Sequence, residues 1–176
     1  AVQDKQNIIS QYNLGLVYLL YKSFRKSIHF LSIAANKNHF KANYKLGEIY
    51  ENFQNMNKAI YYYERALALN KKCFSLYNKL GVIYAIGKGI DSDKAKAKEY
   101  LEKASGENLL LARNNLAILL LYFFKREQDI RDSIGMFFSL HRDYGLILAS
   151  CNLGFFYENR GELYDSIPYF NEALTK

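Results

Sequence analysis

Three histidines, two cysteines and two pairs of closely spaced aspartates are the residues of this 176-residue chain best equipped for chemistry, and their spacing argues against it. His29, His39 and His141 stand at no ligand-like interval from a cysteine or carboxylate, which a zinc site would need, and read as helix-surface or hairpin-turn residues. Asp91 with Asp93, and Asp129 with Asp132, read as hairpin-turn carboxylates, because aspartate is favoured there as a helix cap. A general acid and base would need a shared cleft. Gly87-Lys88-Gly89 hints at a phosphate cradle, but the segment before it is helical, no strand leads in, and no serine or threonine follows the lysine. It reads as a turn. No catalytic residue, metal ligand or cofactor is expected, and the chain is read as a non-enzyme.

The elements behind these residues come from a recurring phrase, a leucine and a small residue followed three places later by an aromatic or apolar one. It occurs as Leu14-Gly15 with Tyr18, Leu46-Gly47 with Tyr50, Leu80-Gly81 with Tyr84, Leu116-Ala117 with Leu120, and Leu153-Gly154 with Tyr157. The small residues step by 32, 34, 36 and 37 positions, the period of stacked helical hairpins. A second helix follows each phrase, with small, bulky and small residues four and then three places apart. These sets are Ser27, Leu31, Ala34; Ala59, Tyr63, Ala66; Ala97, Leu101, Ala104; Ser133, Phe137, Leu140; and Ser166, Phe170, Ala173. Small residues let two helices approach while the large one fills the hole opposite. One such pair cannot bury its own apolar faces, so stability must come from stacked neighbours.

At these residues the chain resembles the tetratricopeptide repeat family from about Ser10 to Leu174. The third unit resembles the Sel1-like repeat, which has a longer glycine-containing turn: Gly87 to Asp93, then Lys96-Ala97, Tyr100-Leu101 and Lys103-Ala104. That turn holds four extra residues, and the fourth unit has a matching excess around Lys125 to Arg131. The expected fold is all-α, a solenoid of about five helix-turn-helix repeats in a right-handed superhelix with a concave groove. The expected organisation is a single repeat domain, 1–176, with repeats at about 8–39, 40–71, 72–107, 108–145 and 146–176. Cys73 and Cys151 fall on first helices two repeats apart, too distant for the roughly 7 Å a disulfide allows, and read as small apolar packers. The recurring tyrosines read as core and hairpin-packing residues.

The resemblance implies an interaction scaffold that binds a protein or peptide, within a larger assembly, through the concave face of the first helices. The matching positions are Tyr12, Asn13 and Leu16; Tyr44, Lys45, Glu48, Glu51 and Asn52; Asn78, Lys79 and Val82; Asn114, Asn115, Ile118 and Tyr122; and Cys151, Asn152, Phe155, Glu158 and Asn159. Chaperone-docking relatives hold a C-terminal carboxylate with lysine, asparagine and arginine, where this chain has tyrosine, leucine or glutamate at several positions. The asparagine before the Leu-small pair, present as Asn13, Asn115 and Asn152 and interrupted by Lys45 and Lys79, is similar to the ladder some relatives use to grip a peptide backbone. Amides suit that task because each both donates and accepts. The alternative is that these asparagines brace neighbouring repeats. Ile118 and Phe155, one residue past the small position, are expected to point into the groove as apolar anchors.

Composition sets the remaining bounds. Half of the residues are apolar, which excludes wholesale disorder. Leu109 to Phe124 is broken by Arg113, Asn114 and Asn115, so a buried helix is expected there and no transmembrane segment. Pro168 falls near the start of the last helix, where a missing donor costs least. Residues 1–106 carry seventeen Lys and Arg against eight Asp and Glu, and the remainder seven against nine. These lysines are scattered without a groove-reading or base-stacking motif, so nucleic acid is not the expected partner. Packing through apolar ends or self-association is the second reading, and an RNA-binding helical repeat the third. The chain begins at Ala1 and stops after the fifth pair without a polar capping helix, so a fragment or a processed form is expected.

Overall fold

The computed structural model describes residues 2–87, 89–106 and 109–175, which places Lys88 of the Gly-Lys-Gly turn outside the described residues. They form ten α-helices, one short π-helix and, among the described residues, no strand. The chain divides into two compact units, Ala1–Leu76 with Gly87–Asp91, and Tyr77–Ile86 with Ser92–Lys176.

The first unit holds α1 (Val2–Leu20), α2 (Phe24–Asn36), α3 (Phe40–Asn52), α4 (Met56–Leu69) and the start of α5 (Phe74–Ile86). The expected knobs are in their holes: a Cβ on Gly15 would stand 2.7 Å from Leu31 Cγ, and one on Gly47 would overlap the Tyr63 ring. Leu31, Ala34 and Ala35 of α2 and Ala42, Leu46 and Ile49 of α3 form one buried cluster, so each hairpin completes the core of the next. Two helix starts are capped by side chains: His39 Nδ1 accepts from the Ala42 amide at 3.2 Å, and Asn55 Oδ1 from the Lys58 amide at 3.2 Å. Cys73 precedes α5 instead of lying on it.

The second unit continues with the rest of α5, α6 (Lys94–Ser105), α7 (Leu110–Leu119), the π-helix (Leu120–Phe124), α8 (Glu127–Tyr144), α9 (Ile147–Asn159) and α10 (Leu163–Thr175). A Cβ on Gly81 would lie 2.6 Å from Leu101 Cγ, and one on Gly154 2.7 Å from Phe170 Cε1. In the fourth hairpin Ala117 takes the glycine's place beside Phe137, and Ser133 Oγ donates to the Ala117 carbonyl at 2.8 Å. Ala149 and Leu153 of α9 join that same cluster, so hairpins stack here too. Gly145 ends α8 at φ 59°, its amide donating to the His141 carbonyl at 2.9 Å.

Several expectations are corrected at this level. The excess residues of the fourth unit do not lengthen its turn. They wind the end of the first helix into the π-helix, after which Lys125 turns the chain at φ 58° and α8 begins at Glu127. Asp129 and Asp132 therefore lie inside α8; only Asp93 of the four aspartates is seen to cap, accepting from the Lys96 amide at 2.9 Å. Asp129 is buried and paired with Arg126 at 2.5 Å and Lys98 at 3.9 Å, and the bond from Arg126 holds its carboxyl below the usual range. The Leu109–Phe124 stretch buries only one side, with Leu111 and Phe123 exposed. Pro168 is the sixth residue of α10, past its first turn. No helix among the described residues is long and apolar enough to cross a membrane.

Candidate functional site

In the second unit, the asparagines form a specific pattern. Asn115 Nδ2 donates to Asn78 Oδ1 at 2.9 Å, and Asn152 Nδ2 donates to Asn114 Oδ1 at 2.9 Å. Each donor stands one residue before its Leu-small pair and each acceptor two before, so one register joins successive first helices. These amides do brace repeats. Asn114 is buried and accepts from Asn152, so it is corrected from a groove-lining residue to a bracing one. Asn78, Asn115 and Asn152 are half-buried. A primary amide carries two N–H groups and a carbonyl, so one bond leaves Asn115 and Asn152 further capacity.

Beside Asn115 an apolar recess of about 230 Å³ opens between α5 and α7. Val82, Ala85 and Ile86 of α5, Leu101 of α6, Ile118 and Leu119 of α7 and Phe123 of the π-helix line it. Lys94 stands 3.8 Å from the centre of the Phe123 ring and also reaches the Ala85 carbonyl. The ammonium thus fixes the ring with a cation–π contact. Phe155 is 49% exposed and meets Phe170 edge-on at 5.2 Å. Tyr122, Glu158 and Asn159 are exposed, and Cys151 and Lys79 are half-buried.

The equivalent positions of the first unit carry other chemistry. Tyr12 leans on His39 at 4.8 Å, Tyr44 on Tyr63 at 5.8 Å, and Lys45 pairs with Glu48 at 2.6 Å. Tyr63 donates to Glu51 at 2.5 Å, and its hydroxyl is pushed above the usual tyrosine range by burial first and then by that carboxylate. Asn13 and Asn52 are exposed and Leu16 is half-buried. Of the expected residues, Asn115 and Ile118, with Val82, meet at the recess; Asn78 is joined to Asn115, and Asn152 to Asn114.

Sequence reasoning missed the rest of the recess. Phe123 lies in the π-helix, whose period shifts every side chain away from the place a 3.6-residue reading assigns. His39 was missed as a cap, although it stands directly before a helix. Burial, and secondarily the charge of Lys41, hold its imidazole below the ordinary histidine pKa. No group of three metal-ligating side chains forms among the described residues.

Comparison with known proteins agrees with this geometry. Residues 40–73 match the tetratricopeptide repeat and residues 8–39 and 75–108 match the Sel1 repeat, together more than half of the chain. The chain belongs to the tetratricopeptide and Sel1-like repeat proteins. A Sel1-like repeat-containing protein of Acanthamoeba polyphaga mimivirus is 35% identical over 86 residues, which are 48% of this chain and only 16% of that protein. Among solved structures, a MamA protein superposes with a TM-score of 0.73 at 20% identity, covering 97% of this chain and 92% of that one. A Sel1 repeat protein from Oxalobacter formigenes gives 0.72 at 16% identity, covering 97% and 74%. YrrB, described as a TPR protein with an unusual peptide-binding site, gives 0.71 at 19%, covering 98% and 88%. At these identities the likeness establishes the helical-repeat fold.

Proposed function

We propose that the second unit binds an extended segment of a protein partner along the face formed by its first helices. The observation that carries this reading is the apolar recess beside Asn115: it offers Val82, Ile118 and Phe123 to one apolar side chain, with an amide at its edge for the adjoining backbone. Asn152 offers the same amide one repeat further along, and Phe155 supplies a second apolar contact. Large apolar groups on an open face are the usual hot spots of such interfaces. The peptide-binding site named for YrrB supports the same use of this fold. Tyr12, Asn13, Leu16, Tyr44, Lys45 and Glu48 would form a separate and more charged face on the first unit.

Affinity capture with the intact chain, followed by mass spectrometry, identifies the partner and so makes the reading testable. Phe155→Ala should weaken its binding by about 2 kcal/mol or more while stability falls by less than about 1 kcal/mol, because the ring is half exposed. If Phe155→Ala and Ile118→Ala both bind at full strength, the face is not the site. Self-association is favoured instead by Leu163, Tyr164 and Leu174, all strongly exposed on α10. A dilution series followed by light scattering would reveal it without any partner.

A further inference from the structure

Four of the hairpins carry the same aromatic pair, and three of them display what belongs on it. Tyr18 stacks on Phe30, Tyr50 on Tyr62, Tyr84 on Tyr100 and Tyr157 on Tyr169, with centroids 5.4, 5.5, 5.8 and 5.6 Å apart and planes 7°, 1°, 12° and 4° from parallel. In the first three an ammonium group sits by the tyrosine: Lys26 Nζ at 5.3 Å, Lys58 Nζ at 5.1 Å and Lys96 Nζ at 4.3 Å from the ring centre, the last also donating to the Tyr84 hydroxyl at 2.6 Å. Each lysine directly precedes the first small residue of its second helix, Ser27, Ala59 or Ala97. In the fifth hairpin that register position, before Ser166, is Asp165. Among the described residues no lysine or arginine lies over Tyr157 or Tyr169.

A cavity of about 270 Å³ lies there instead, walled by Tyr157, Tyr164 and Tyr169, the carboxylates of Asp165 and Glu172, and His141. His141 Nδ1 lies 2.9 Å from Ser150 Oγ and 3.4 Å from a Glu172 carboxylate oxygen. Tyr164 is 90% exposed. We propose that this cavity binds an ammonium group, the lysine side chain of a partner protein segment. Aromatic ring faces attract cations, and the Asp165 carboxylate in the same cavity compensates the charge that desolvation would otherwise penalise. The pair is built for an ammonium in three hairpins, and in the fifth the chain replaces its own ammonium with a carboxylate, which reverses the charge the site seeks. Residues 107–176, with seven basic against nine acidic side chains, do not repel such a segment. The site is distinct from the α5–α7 recess, so either proposal can fail alone.

The test is an NMR titration of the whole chain, observing tyrosine ring signals. The probes are a blocked Gly-Lys-Gly peptide, the same peptide with norleucine for lysine, and tetramethylammonium. The lysine peptide should shift the Tyr157, Tyr164 and Tyr169 signals saturably, and the norleucine peptide should not. Asp165→Lys, which restores the register of Lys26, Lys58 and Lys96, should abolish the response and keep or raise the melting temperature. Asp165→Asn should weaken binding at least about threefold by removing one charge, and it decides the matter if Asp165→Lys fails to fold. Equal shifts with norleucine, no saturable shift with lysine, or full binding by Asp165→Asn would overturn the proposal. Binding of tetramethylammonium without the lysine peptide would overturn the assignment to a protein segment in favour of a free small cation.

Discussion

The two units share one knob-and-hole design and differ in what surrounds it. In the first unit, the residues before the second Leu-Gly pair are Tyr44 and Lys45; the tyrosine packs on Tyr63, the lysine pairs with Glu48, and Tyr63 donates to Glu51. In the second unit, four of the six equivalent places are asparagines, Asn78, Asn114, Asn115 and Asn152, and these bond from one first helix to the next. Close contact between helices depends on the small residue and the knob, which both units keep. The flanking positions are free to vary, and the second unit uses them to lock repeat spacing with polar bonds beside an apolar recess.

The largest effect should come from emptying a hole. Tyr63→Ala in the first unit should cost about 3–5 kcal/mol in denaturant unfolding, by cavity formation around a side chain with no exposed surface. A loss no larger than that of an amide variant in the second unit would break the contrast drawn between them. Filling a hole comes next: Gly81→Leu should cost about 1–3 kcal/mol by overpacking against Leu101, and an unchanged melting temperature would show that the register is wrong.

The amide pairs rank third. Asn152→Ala leaves the enclosed Asn114 carbonyl without its donor and should cost about 1–2 kcal/mol, whereas Asn115→Ala leaves Asn78 half-buried and able to take water, for about 0.5–1 kcal/mol. The buried acceptor makes Asn152 the costlier of the two to lose. Thermal melts of the two single variants test that difference, and identical losses would remove the role given to burial.

The smallest effect is the pH response of the His39 cap. Its folded pKa lies below the ordinary 6.5, so the unfolded chain binds more protons. The contribution is fully present above about pH 6.5 and is lost as pH falls from there through the lowered folded value. His39→Asn keeps a capping oxygen without titrating, so its stability should depend less on pH over that range than the parent's. Parallel curves would mean that His39 does not carry the response.

Much of this was legible in the chain itself. The registers marked a small residue on each first helix and a bulky one on each second helix, and the structure joins them within single hairpins as Gly15 with Leu31, Gly47 with Tyr63, Gly81 with Leu101 and Gly154 with Phe170. The tyrosine positions likewise announced hairpin packing. The fourth unit was less legible: its π-helix changes the angular step per residue, so Phe123 could not be assigned to the recess.

The sequence by itself determined the hairpin period, the inward residues and the capping aspartate at position 93, since each depends on interactions within one or two neighbouring helices. Tertiary structure decided that Asn114 is buried while Asn115 keeps an open edge, that Asp129 is an enclosed ion-pair partner, and that Asp165 stands where other hairpins place a lysine on a stacked pair. These depend on distances between residues 30 or more positions apart, or on which of two adjacent side chains faces the next repeat. Periodicity narrows such a choice to a helix face, and only packing selects within it.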